Sequence, residues 1–172
     1  QETQWDYTTK RELRSINLHP CPLLISKAYK AMVESFGWKS LTILYQDNHS
    51  LLRLQELIKS PLQSNTKILL RKLSFGEGED NNKVLLEVKQ LGAIHIVLDC
   101  DQDKIRGVLS KAQEVGLVTA YHSFLVTNLD MHLVNLDVFK DSGVNITSLR
   151  LVDPTLPKMI DAVRGWEEVK TE

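Results

Sequence analysis

The residues with the most chemical potential sit just after the most apolar runs of the chain. Asp99-Cys100-Asp101 follows the run 94–98, Thr127-Asn128-Leu129-Asp130 follows 121–126, and Tyr45-Gln46-Asp47 closes a third. An amino-acid ligand needs a carboxylate for its ammonium group and hydroxyls or amides for its own carboxylate. Asp99, Asp101 and Thr127 could supply both. The competing role is structural, as helix N-caps and Asx-turns in strand-to-helix loops. Hydrolytic chemistry has less support. Asp99 and Asp101 share one loop, which provides no opposed pair flanking a substrate.

The five histidines, His19, His49, His95, His122 and His132, include no pair at the i, i+4 spacing of a helical metal site. His95 falls inside an apolar run and reads as a packed, hydrogen-bonded side chain. Gly-x-Ser-x-Gly, Gly-x-Gly-x-x-Gly and phosphate-loop patterns are absent from the sequence. The stretch Gly76-Glu77-Gly78-Glu79-Asp80 is acidic and would repel a phosphate. No catalytic residue, metal or cofactor is therefore expected, and the chain reads as a non-enzyme. Cys21 and Cys100 form no Cys-x-x-Cys pair. Small buried hydrophobe is the default reading for each, and the two are expected to be unbridged. Two acceptor sequons for N-linked glycan occur, Asn48-His49-Ser50 and Asn145-Ile146-Thr147.

With 172 residues and a net charge of −1, the chain fits one domain with a real core. Non-specific binding to nucleic acid or to an anionic membrane is not suggested. No apolar stretch approaches the ~20 residues that span a bilayer. The sequence opens at Gln1 without an initiator Met, a basic region or an apolar leader at its start, so Gln1 reads as an internal position of a longer precursor. Any membrane attachment would then come through other parts of the parent chain.

The polar groups need a scaffold, and the pattern supplies one. Residues 1–10 read as an irregular lead-in and 12–18 as a short strand. Pro20 and Pro22 open a helix with Leu24, Ala28, Ala31, Met32 and Phe36 on its inner face and Gly37 after its end. Strands follow at 40–45, 67–73, 94–98, 121–127 and 144–151. Helices are expected at 50–59, closed by Pro61, at 82–91 with Val84, Leu85, Val88 and Leu91 inward, and at 101–115 with Asp101 as N-cap. The last of these turns Ile105, Val108, Leu109, Ala112 and Val115 inward, and Gly92 and Gly116 end their helices. Residues 74–82 read as a loop, and a final helix runs over about 157–169. This alternation predicts an α/β fold, a doubly wound parallel sheet with helices on both faces and right-handed crossovers.

Several words in fixed order carry a family resemblance. They are Phe36-Gly37-Trp38-Lys39, Arg53-Leu54-Gln55-Glu56-Leu57-Ile58-Lys59, Leu85-Leu86-Glu87-Val88-Lys89, Asp99-Cys100, Thr127-Asn128-Leu129-Asp130 and Ser142-Gly143-Val144-Asn145-Ile146-Thr147. From about Trp5 to Trp166 the chain resembles the amino-terminal domain of ionotropic glutamate receptors, closest to the kainate type. The resemblance implies one lobe, the second and membrane-proximal one, of a type I periplasmic-binding-protein-like domain, with residues 1–172 as a single unit. It implies an extracellular, synaptic setting at the plasma membrane and partnership with other glutamate receptor subunits in homo- or hetero-oligomers. Work would then be done by surfaces, with Leu23, Lys27 and Lys30 or the 144–151 region as interface candidates. It also implies that glutamate gating belongs to a different domain, and it raises Asn145 as a glycan acceptor. The alternative is a ligand-binding lobe that closes on an amino acid or ion through Asp99, Asp101 and Thr127.

Overall fold

Short apolar runs bounded by polar turns form the sheet of this protein, and the runs between them with helical periodicity cover it. The computed structural model describes residues 20–59, 66–76 and 80–169. In chain order the elements are α1 (Pro22–Ser35), β1 (Ser40–Tyr45), α2 (Asn48–Arg53), α3 (Gln55–Lys59), β2 (Lys67–Lys72), α4 (Asn82–Gln90), β3 (His95–Asp99), α5 (Gln102–Glu114), β4 (Ser123–Val126), β5 (Asn145–Ser148) and α6 (Pro157–Val169). Two 3₁₀ turns, Met131–Leu133 and Asp137–Ser142, link β4 to β5.

The five strands are all parallel in the order β2-β1-β3-β4-β5. The order reverses between β1 and β3, which makes that boundary the topological switch point, where open α/β sheets hold ligands beyond the carboxyl ends of their strands.

Side-chain alternation along the strands divides the core in two. Leu44, Ile96, Leu98, Phe124 and Val126 pack with Leu85 and Val88 of α4 and with Ile105, Val108, Leu109 and Ala112 of α5. On the opposite face Leu41, Ile43, Val97 and Leu125 meet Ile25, Tyr29 and Val33 of α1, together with Leu54 and Leu57. Burial on both faces explains why these strands read as nearly continuous apolar runs. Gly92 and Gly116 close α4 and α5 at φ +68° and +80°, a region that L side chains rarely enter. The parallel doubly wound sheet therefore matches the sequence expectation, and β1 and α6 have the expected bounds.

Several local expectations need correction. The inner stripe of α1 is Ile25, Ser26, Tyr29 and Val33, whereas Leu24 is 62% exposed and Phe36 43% exposed. Hydropathy alone points the wrong way because two inward residues are polar. Ser26 Oγ accepts the Glu56 amide at 2.9 Å, and the Tyr29 hydroxyl donates to the Thr127 carbonyl at 2.5 Å.

The segment 50–59 is two short helices that meet at the fully buried Leu54. The first begins at Asn48, because Asp47 caps it by accepting the Ser50 amide at 2.9 Å. Leu91 and Tyr121 are exposed, since each lies in a turn beyond its element. β5 spans four residues. The stretches 1–10 and 12–18, with Pro61, lie outside the described residues.

Candidate functional site

At the carboxyl end of β3 the Asp99 side chain is 1% exposed, and both of its oxygens are occupied. Arg53, the last residue of α2, donates from Nε to Oδ2 at 3.2 Å and from Nη2 to Oδ1. Thr127 Oγ1, one residue past β4, donates to Oδ2 at 2.7 Å. The Thr127 carbonyl in turn accepts the Tyr29 hydroxyl from α1. Arg53 Nη2 also reaches Ser50 Oγ at 3.4 Å, the residue whose amide Asp47 caps.

One buried carboxylate thus ties α1, α2, β3 and β4 together at the switch point. Short helices such as α2 gain little from propensity, so this tertiary anchor holds its last turn.

A second pair sits beside the first. Gln46 and Asp101 face each other in both directions: Gln46 Nε2 donates to Asp101 Oδ2 at 2.7 Å, and the Asp101 amide donates to Gln46 Oε1 at 3.0 Å. The Gln46 amide donates to the Asp99 carbonyl, which extends the β1–β3 pairing by one step. Asp101 holds the backbone position of an N-cap for α5, but its side chain caps nothing. The carboxylate has turned to Gln46 instead, which corrects the expected capping role.

The electrostatics follow from these contacts. Donating its hydrogen bonds to Asp99 holds the Arg53 guanidinium even more firmly protonated than usual, against the opposing effect of partial burial. Burial, reinforced by the nearby Asp99 charge, pushes the Tyr29 hydroxyl well above its ordinary range, so it remains a donor. Burial also pushes the Cys100 thiol up to about 12, which keeps it a thiol and a poor nucleophile. The Ser50 amide bond lowers the Asp47 carboxyl below its usual range.

Chemically the cluster is a closed clamp. Both Asp99 oxygens are engaged by Arg53 and Thr127, and an incoming ammonium group would have to compete with a guanidinium already in place. Asp99 and Thr127 are in direct contact, whereas Asp101 is engaged on its other side by Gln46. An open groove of about 530 Å³ lies along the same end of the sheet, between Gln102, Asp103 and Arg106 of α5 and Leu133–Asn135. None of the three candidate ligand residues lines it. Among the described residues, no cluster of three His, Cys, Asp or Glu side chains is arranged to hold a metal ion.

The remaining candidates are dispersed. His95 stacks flat on Trp38, with ring centroids 4.6 Å apart and an interplanar angle of 3°. Its Nδ1 is buried without a hydrogen-bond partner, contrary to the expected hydrogen-bonded state, and burial lowers its pKa. Packing on the indole is what holds this ring.

Leu23 and Lys27 are exposed on α1, and Lys30 is half-buried within 3.8 Å of Glu34. Cys21 is exposed and Cys100 buried, both as free thiols. Asn48 is the first residue of α2 and Asn145 the first of β5, and both are exposed. The Thr147 hydroxyl donates to Asn145 Oδ1 at 3.2 Å.

Arg53 and Tyr29 are not reached as site residues from the sequence, and Gln46 is reached only as part of the strand end Tyr45-Gln46-Asp47. Arg53 lies 46 positions from Asp99, and Tyr29 lies 98 from Thr127. Only the strand order brings these pairs together.

Comparison with known proteins adds a family. The model for the receptor family ligand binding region matches residues 2–172. Mouse glutamate receptor ionotropic, kainate 1 is 33% identical over 167 residues, covering 96% of this chain and 20% of the relative. The human and rat proteins of the same name are each 32% identical over 167 residues, again across 96% of this chain and 18% of theirs. The chain thus spans about a fifth of the length of these curated relatives.

Proposed function

The chain belongs to the receptor family ligand binding regions, and on that premise we propose that it is one lobe of the extracellular amino-terminal domain of a kainate-type glutamate receptor subunit. In this reading it is the second, membrane-proximal lobe. It acts in subunit assembly through its surfaces, on the outer face of the plasma membrane and at synapses. Its partners are other glutamate receptor subunits. The relatives are named as receptors, which favours a binding role over a catalytic one.

The observation that carries the surface reading over a ligand-closing one is the state of the switch point. The groups best suited to grip an amino acid are consumed by internal partners, Asp99 by Arg53 and Thr127, and Asp101 by Gln46. Meanwhile Leu151, Val152, Leu156, Ile160, Val163 and Trp166 leave apolar area open along and before α6. That apolar area is available to be covered, by a partner subunit or by other parts of the parent chain.

Co-purification of the full-length parent subunit with a kainate-type partner tests this function. Deletion of this lobe, or charge insertion along the stripe, is expected to reduce co-assembly. Undiminished assembly in both cases would overturn it.

A further inference from the structure

We propose that Asn48 carries an N-linked glycan that stands over the switch-point end of the sheet, and that it is attached before α2 closes. The inference rests on the extracellular placement given above. Asn48 opens α2 and is exposed, and the cap of that helix is Asp47, so the Asn48 amide is not needed for the fold. It follows Gln46 by two residues, which puts a glycan there beside the Gln46–Asp101 pair at the carboxyl ends of β1 and β3. A bulky, solvated oligosaccharide at that place would shield the switch-point end of the sheet from solvent partners.

The third residue of the sequon dates the event. Ser50 is fully buried; its hydroxyl donates to Asp47 Oδ1 at 3.4 Å and accepts from Arg53 Nη2 at 3.4 Å. In the folded lobe this hydroxyl is out of reach, so the acceptor is complete only in the unfolded chain. In the transfer, the Asn48 amide nitrogen forms a bond to C1 of the first sugar of a lipid-pyrophosphate-linked oligosaccharide. The bond from C1 to the pyrophosphate breaks, the lipid pyrophosphate leaves, and the amide gives up one proton. Asn145 differs: its sequon lies on β5 with the Thr147 hydroxyl on the exposed Asn145 itself.

The test is site-resolved mass spectrometry of glycopeptides from the full-length parent chain made in eukaryotic cells, for wild type, Asn48→Gln and Asn145→Gln. Occupied Asn48 peptide in the wild type, and loss of one glycan's mass in Asn48→Gln, are expected. An unmodified Asn48 peptide beside an occupied Asn145 peptide overturns this inference alone. Both peptides unmodified overturns it together with the extracellular placement.

The timing is read separately. Unglycosylated folded protein and its denatured form are each offered to oligosaccharyltransferase with lipid-linked oligosaccharide. Modification of Asn48 is expected only in the denatured form, and equal modification of the folded protein would refute the order of events.

Discussion

The switch-point clamp and the α6 helix satisfy their chemistry in opposite ways. At the clamp, a carboxylate that is 1% exposed finds a guanidinium, a hydroxyl and, through Thr127, a phenol, all within this chain. Leu156, just before α6, and Ile160, Val163 and Trp166 within it recur at helical spacing, yet Trp166 is 68% exposed. The clamp is internally complete, while the helix presents an amphipathic face. A domain that gripped a small ligand at its strand ends would be expected to keep polar groups free there. This one closes them and leaves its open apolar area along α6 instead.

The sharpest way to break the contrast is to remove the cation from the clamp. Arg53→Ala leaves Asp99 buried with Thr127 as its one remaining side-chain partner. Loss of a fully buried partner costs roughly 3–5 kcal/mol. Because the Arg53 side chain is 40% exposed, solvent screening places the expected loss at about 3 kcal/mol or less. Urea unfolding of wild type and variant measures it. A change under about 0.5 kcal/mol would mean that the clamp is ornamental.

Tyr29→Phe probes the far end of the same network. It keeps the ring in its pocket but leaves the Thr127 carbonyl without the phenol, for an expected loss of about 1–2 kcal/mol in the same assay. On α6 the expected pattern reverses. Trp166→Asp should shift unfolding by no more than about 0.5 kcal/mol, as exposed substitutions do. The open α6 face is also expected to make the isolated chain self-associate with rising concentration, and the same substitution should weaken this in sedimentation velocity. At roughly 25 cal/mol per Å² of apolar surface, even a few hundred Å² favours association by several kcal/mol before entropic costs. A large stability loss with unchanged association would show that α6 belongs to the core.

The smallest effect concerns the thiols. In native protein at pH 8, the exposed Cys21 should be alkylated while Cys100, buried and with its thiol held up to about 12, stays unmodified. Both should react after unfolding without reductant. Finding no thiol under those conditions would mean a bridge.

These tests also bear on how far the sequence could be read. The strands were legible because burial on both faces makes 40–45 and 94–98 nearly continuous apolar runs, and α5 because Ile105, Val108, Leu109 and Ala112 keep strict helical spacing. The face of α1 was not legible. Ser26 and Tyr29 point inward to hydrogen-bond partners on other elements, which no local periodicity reveals. The same limit hid the site. Asp99 and Thr127 could be singled out by their positions after strands, but Arg53 could not be joined to them without knowing that β1 lies next to β3. Asp101 shows the converse: its cap position was readable, and its actual partner, Gln46, was not.

Calorimetric titration of glutamate into the intact two-lobed amino-terminal domain of the parent subunit tests the central claim most directly. With the strand-end carboxylates already engaged by Arg53, Thr127 and Gln46, the expected result is no saturable heat. Saturable binding that Asp99→Asn abolishes, with the variant still folded, would contradict the account and make this lobe half of a ligand trap.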